Sequence, residues 1–328
     1  MRRREFMTLF GGAAVLSRTV RAQQAPAIPR LGLVSIGADP GNPVVFRPFL
    51  EQLRELGYLE GRNITLERRF AAGRDELIGD FVADLVQRKV DIIVVTGDRE
   101  SIAAKNATST IPIVTIVSTD PIRTGLAASL ARPGGNVTGL TTMDQGIYGK
   151  RIEILKQVLP NLSKAALLLS LGNATYTPGS SWAHDVESDA RSLGVELFIV
   201  ETDPTNFEAA IATAAADGAQ ALVGASDGTI VARRREIAES AIAHRLPTMF
   251  AFRENVLAGG LMMYAARAAD LSRRAAFFID RILKGSRPSD LPIEQPVTFE
   301  LIVNLKTAKM LDLTVPAPLL AQADEVVE

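Results

Sequence analysis

The chain has 328 residues, 47% hydrophobic and 5% aromatic, with 36 Lys and Arg set against 37 Asp and Glu for a net charge of −1. This balance belongs to a folded α/β protein and excludes a long disordered chain or a basic nucleic-acid binder. Zero cysteines exclude disulfides, thiolate metal sites, a cysteine nucleophile and the lipid-modified cysteine that tethers many exported proteins.

Met1 to Ala22 read as an address rather than as structure. Arg2, Arg3 and Arg4 form a basic start, Phe6 to Leu16 an apolar run, and Val20, Arg21 and Ala22 a cleavage site before Gln23. The run is far short of the roughly 20 residues that span a bilayer, so a cleaved export signal is expected. Arg3-Arg4-Glu5-Phe6-Met7 resembles the twin-arginine motif, which exports folded proteins; an ordinary secretory signal is the alternative. Loss of this leader, with its five arginines and one glutamate, leaves 306 residues and moves the net charge from −1 to −5. That length suits two lobes, and the mature protein is expected to be soluble in the periplasm.

From Pro29 onward, β-branched runs alternate with amphipathic helical stretches, the grammar of parallel βαβ units. Strands are predicted at 30–36, 64–68, 90–95, 111–117 and 136–141, with helices at 49–56, 75–87, 102–107 and 125–130 between them. VDIIVV (Val90 to Val95) is apolar on both faces, which implies a parallel sheet covered on both sides. The pattern then restarts. Helices are predicted at 147–159, 183–193, 206–215 and 230–243, and strands at 165–169, 196–200, 221–224 and 248–250. A strand at 261–264, a helix at 272–283, a Pro-rich stretch and a final strand at 300–304 follow. The fold class is therefore α/β, with two Rossmann-like lobes, each a parallel sheet with helices on both faces, joined by a hinge of crossovers. The expected partition is a signal at 1–22, a first lobe at 28–142 plus about 267–293, and a second at 143–266 plus about 294–328.

Catalytic signatures are missing. His184 and His244 are isolated, no HExxH, G-x-S-x-G or Walker A sequence occurs, and Gly134-Gly135 precedes a strand instead of following one. Lone carboxylates such as Asp39 and Asp144 lack partners at metal-ligand spacing, so neither a metal nor another cofactor is expected, and the protein does not read as an enzyme. Ligands of open parallel sheets bind beyond the carboxyl ends of the strands, and here those tails are polar. In the first lobe they supply Ser35, Thr96, Gly97, Asp98, Ser118, Thr119 and Asp120; in the second, Asn173, Asp227 and Phe252. Tyr176, Trp182 and Tyr264 are aromatic candidates for a pocket wall. Asp98 and Asp120 serve equally well as plain helix caps. Arg253-Glu254 reads as a possible surface pair, and Arg267 as an anion site or a lobe bridge.

LRELGYLEGRNITLE (Leu53 to Glu67), the VDIIVV strand, STDPIRTGLAASLARPGGNVTGLT (Ser118 to Thr141), RRAAFFIDRILKGSRPSDLPIEQP (Arg273 to Pro296) and FELIVNLKTAKMLDL (Phe299 to Leu313) together resemble the ABC transporter substrate-binding protein family related to tryptophan- and tyrosine-binding lipoproteins. The resemblance implies a type I periplasmic-binding-protein fold with three crossovers and a ligand between the lobes. It implies that Thr96, Ser118 and Thr119 hold a ligand carboxylate and that Asp227 takes an ammonium, with Asn173 in a second-lobe loop. The expected partners are a small polar ligand, an amino acid or a carboxylate, and an ABC permease in the inner membrane. The chain is expected to be a monomer and to bind no nucleic acid. It departs from lipoprotein relatives in lacking cysteine, and GNATYTPGSSW (Gly172 to Trp182) and Phe252-Arg253-Glu254 do not match aromatic-amino-acid binders. Two other functional classes stay open: an extracytoplasmic sensor whose closed form docks on a receptor, and an exported α/β enzyme.

Overall fold

The computed structural model describes residues 28–37, 43–142, 146–171, 180–203 and 205–328. Met1 to Ala22, Asn173 and Tyr176 lie outside the described residues. Among the described residues no helix is long and apolar enough to cross a membrane.

Five parallel strands make the first sheet: β1 (Arg30–Ser35), β2 (Thr65–Phe70), β3 (Ile92–Val95), β4 (Ile113–Ser118) and β5 (Val137–Thr141), in the order β2-β1-β3-β4-β5. The two-residue period of a strand divides β3 between two cores. Ile92 and Val94 join Leu31 and Leu33 on one face, while Ile93 and Val95 join Val34 and Ile36 on the other. Helices α1 (Pro43–Glu55), α2 (Ile78–Gln87) and α3 (Asp98–Ala107) connect these strands. Gly32 is where α2 comes closest, since a Cβ there would stand 2.7 Å from Leu85.

The second sheet has seven strands. After α4 (Ile147–Val158) come β6 (Lys164–Ser170), α5 (Ser181–Ser192), β7 (Glu196–Thr202), α6 (Phe207–Ala216), β8 (Leu222–Gly224), α7 (Gly228–Ala232), α8 (Arg234–Ala243), β9 (Thr248–Phe250), α9 (Arg253–Leu257) and β10 (Met262–Ala266). The chain then leaves as α10 (Ala268–Leu283) and returns as β11 (Phe299–Asn304), α11 (Leu305–Met310), α12 (Ala317–Leu320) and β12 (Glu325–Val327). The order is β12-β11-β10-β9-β8-β6-β7.

Helix α10 belongs to the first sheet although it follows β10. Its stripe of Leu271, Ala275, Ala276, Phe278 and Ile279 packs with Phe46, Phe49 and Leu53 of α1. Each large apolar side chain so buried contributes about 1.5–3 kcal/mol. Tyr58 reinforces the seat by donating to Asp280 at 2.9 Å, and burial together with that carboxylate pushes the phenol up to about 12. Three crossovers thus join the units: from β5 to α4, from β10 to α10, and from residues 291–294 to β11. Residues 291–294 run beside β5, where Glu294 N–H donates to the Gly139 carbonyl and Thr141 N–H to the Glu294 carbonyl, both at 2.9 Å.

Several elements differ from the sequence expectation. The second sheet is mixed, because β11 enters from the first unit and runs antiparallel to β10. The strand at Glu300 is not the last, since β12 pairs outside it. No helix forms over 125–130. Gly125 is left-handed (φ +69°), Ala127 and Ala128 N–H donate to the Pro121 and Pro133 carbonyls, and Leu130 C=O accepts from Ile293 N–H of the crossing segment at 2.8 Å. The helix expected over 230–243 breaks at Arg233 into α7 and α8.

Gly139 on β5 has φ +129°, and a Cβ there would stand 2.1 Å from the Thr115 carbonyl oxygen of β4. Gly139→Ala combines a disfavoured backbone with a main-chain clash, and is expected to lower stability by about 3 kcal/mol in urea unfolding.

Candidate functional site

The carboxyl ends of the two sheets face one another across a cavity of about 250 Å³. That is the scale of one small molecule. The first unit contributes Ser35, Ile36 and Gly37 after β1, Thr96 to Glu100 where β3 turns into α3, and Val117 and Thr119 from the end of β4. The second contributes Ser226 to Thr229 between β8 and α7, Val231, Ala232 and Arg234 beyond, and Phe252 and Glu254 after β9. Val45, Ala72 and Val117 with Phe252 and Val231 give it a largely apolar wall.

Seven of the residues singled out from the sequence therefore lie around one cavity: Ser35, Thr96, Gly97, Asp98, Thr119, Asp227 and Phe252. Three others lie off it. Ser118 is fully buried behind Asp98, whose Oδ1 accepts its hydroxyl at 2.7 Å. Asp120 caps the next turn, accepting from Ile122 and Arg123 N–H at 3.1 and 3.0 Å. Tyr264 stacks on Phe299 beside the crossover, with ring centroids 5.8 Å apart.

The first-unit donors are more engaged than the sequence suggested. Thr119 donates to the Asp98 carboxylate through both its hydroxyl and its N–H. Thr96 Oγ1 lies 2.8 Å from Ser35 Oγ and 3.2 Å from Glu100 Oε1. Asp227 does two jobs in the second unit: its Oδ1 caps α7 by accepting from Thr229 N–H at 2.7 Å, and its Oδ2 accepts from Ser170 Oγ.

Arg99 and Glu100, which follow Asp98 in the first turn of α3 and were not among the residues expected at the site, are central. Arg99 rises from the first turn of α3, pairs with Asp75 of its own unit, and crosses the cleft. There its Nη2 donates to Ser170 Oγ at 3.0 Å and to the Leu171 carbonyl at 2.9 Å, 3.7 Å from Asp227. At the rim, Arg123 makes a second bridge, to Ser181 and Asp185 of α5. Glu100 is 2% exposed and accepts from Ile36 N–H at 2.8 Å. The available signal was helical phase, because Glu100, Ser101 and Ala104 form the buried face of α3. Arg253 turns away to Glu325, and Arg267 pairs with Asp324 at the second crossover. Among the described residues no group of His, Asp and Glu is arranged to hold a metal ion.

Gly228 has no room for a side chain where the two units approach one another. A Cβ there would stand 2.1 Å from Ile36 Cγ2, across the cleft.

The family model described as ABC transporter substrate binding protein matches residues 36–327, and the chain belongs to that family. A curated relative, a tyrosine-binding protein of Clostridioides difficile (strain R20291), is 25% identical over 283 residues, 86% of this chain and 81% of its own length. Solved structures share the fold. An ABC domain from Streptococcus pneumonia in complex with L-Trp has a TM-score of 0.84 at 21% identity, covering 91% of this chain and 99% of that one. A conserved domain protein from Vibrio cholerae reaches 0.82 at 23% identity with the same coverage. The ligand-free, open structure of a substrate binding protein with adhesive properties from Clostridium difficile gives 0.65 at 20% identity, covering 92% and 99%.

Burial pushes the Glu100 carboxyl up, and the neighbouring Asp98 charge adds to this. A raised folded-state value means that the folded form keeps a proton the unfolded chain has already lost. The stability from Glu100 is therefore full below the ordinary carboxylate range and is lost as pH rises through the raised value. Glu100→Gln keeps an acceptor for Ile36 and removes the titration. Its thermal midpoint relative to the parent protein is expected to climb as pH rises from the ordinary carboxylate range through the raised value of Glu100.

Proposed function

We propose that this member of the substrate-binding family is the soluble periplasmic component of an ABC importer, and that it captures a small amino acid or carboxylate with an apolar body by closing two lobes around it. The first lobe comprises 28–142 with about 267–293, and the second 143–266 with about 294–328. The observation that carries this reading is the cavity between the units, lined from the carboxyl ends of both sheets and bridged by Arg99. An apolar wall beside polar strand ends suits a ligand with a charged head and a hydrophobic side chain. The tyrosine-binding relative and the L-Trp complex favour an aromatic amino acid. Met1 to Ala22 supply export, and the lack of cysteine leaves the mature chain untethered. Closure changes the outer surface on both sides of the rim, and that changed surface is what a permease reads.

Thermal-shift screening of the mature protein against L-tyrosine, L-tryptophan and aromatic carboxylates tests the reading. A true ligand at 100 times its Kd stabilises the folded form by about 2.7 kcal/mol, a shift of several degrees. Failure of every compound to shift the midpoint, with turnover of one of them, would point to an enzyme instead.

Gly228 supplies a test of closure. Gly228→Ala places a methyl group against the stiff β-branched Ile36 only when the lobes meet. It is expected to weaken ligand binding roughly 10-fold by calorimetry while leaving the unliganded midpoint near that of the parent.

A further inference from the structure

The polar atoms around the cleft are unequally engaged. On the first-lobe wall the Ser118 hydroxyl and both Thr119 donors already serve Asp98. A ligand carboxylate approaching that wall meets the Asp98 charge with these donors already committed, whereas the Asp227 charge on the opposite wall has Arg99 Nη2 3.7 Å away. On the opposite wall Thr229 is 1% exposed and lines the cavity, and among the described residues its Oγ1 has no hydrogen-bond partner. Arg99 Nε is likewise buried without a partner. Ser226 also lines the cavity; its Oγ accepts from Arg151 Nη2 at 3.5 Å, which leaves its own hydroxyl hydrogen for the cavity.

Arg151 is fully buried on α4, behind Ser226. Its Nε donates to the Tyr264 carbonyl at 2.9 Å, its guanidinium lies 4.8 Å from the centre of the Tyr148 ring, and its Nη1 has no partner among the described residues. None of these contacts is with an anion. A guanidinium charge without a counter-charge is costly in a core, and an anion one hydroxyl away offsets that cost.

We infer that the Thr229 and Ser226 hydroxyls, with Arg99 Nε, hold the carboxylate of the ligand on the second-lobe wall, and that Arg151 is a positioning residue whose charge acts through Ser226 to select an anion there. The inference rests on the capture reading above and moves the carboxylate away from Ser118 and Thr119. Asp227 orients the group, since it takes the Thr229 N–H at 2.7 Å and lies 3.7 Å from Arg99 Nη2. An ammonium then faces Asp98 across the cleft.

The test is calorimetry on the mature chain with L-tyrosine, tyramine, which lacks the carboxylate, and 3-(4-hydroxyphenyl)propionate, which lacks the ammonium. The parent protein is expected to prefer both carboxylates to tyramine. Thr229→Val and Ser226→Ala should each weaken binding of the two carboxylates roughly 10-fold and leave tyramine unchanged, since a hydrogen bond to a charged group is lost. Arg151→Met should show the same pattern. Equal weakening of all three probes by Thr229→Val and Ser226→Ala, or loss of the carboxylate preference in Ser118→Ala while those two variants keep it, overturns the assignment. A parent protein that takes the propionate but not tyrosine supports the anchor and ends the amino-acid reading. One that takes tyramine and rejects both carboxylates ends the anchor, and binding of no probe ends both.

Discussion

The cleft depends on a single guanidinium that belongs to one lobe and finds most of its acceptors in the other. Arg99 stands at the start of α3, braced by Asp75, and its reach to Ser170, Leu171 and Asp227 ties the two sheet ends together across the cavity. The side chain is mostly buried, so its charge-assisted hydrogen bonds are stronger than those of an exposed ion pair. Arg123 with Asp185 at the rim is the contrasting case: Asp185 is half exposed, and such a pair is worth at most about 1 kcal/mol. The two units are therefore held together beside the cavity by one inner tie and by the close approach of Gly228 to Ile36.

The acidic groups beside this tie differ in how they are held. Asp98 accepts three donors from the end of β4. Asp227 caps a helix and meets the tie. Glu100 lies deepest and is driven toward its neutral form by burial, although it accepts from Ile36 and Thr96. Three carboxyl groups in one small cleft thus avoid mutual repulsion by different means.

Strand positions were largely legible in the sequence, because an apolar run such as Ile92 to Val95 can satisfy two cores in only one way. The strand ends that line the cleft followed from the same logic, which is why Thr96, Asp98, Thr119 and Asp227 were found together. What escaped was set by tertiary contact. Arg99 and Glu100 look alike in sequence, yet one crosses the cleft and the other is buried, and only the phase of α3 separates them. Gly228 reads as an ordinary turn residue until Ile36 is seen opposite. The segment at 125–130 has helical composition, but its carbonyls are claimed from elsewhere, those of Gly125 and Leu126 by Lys105 and that of Leu130 by Ile293. Antiparallel β11 could not be read either, since its direction depends on where α10 leaves the chain.

That late helix bears on how the protein is made. The first sheet is complete by Thr141, yet the apolar face over α1 stays uncovered until Ala268–Leu283 arrives. During synthesis the whole second lobe up to β10 must emerge before the first can finish. The amino-terminal portion is therefore not complete as a folding unit until α10 arrives, and it carries an open hydrophobic face until then. A chain that stops before residue 268 is expected to be an aggregation-prone fragment rather than a half-working first lobe.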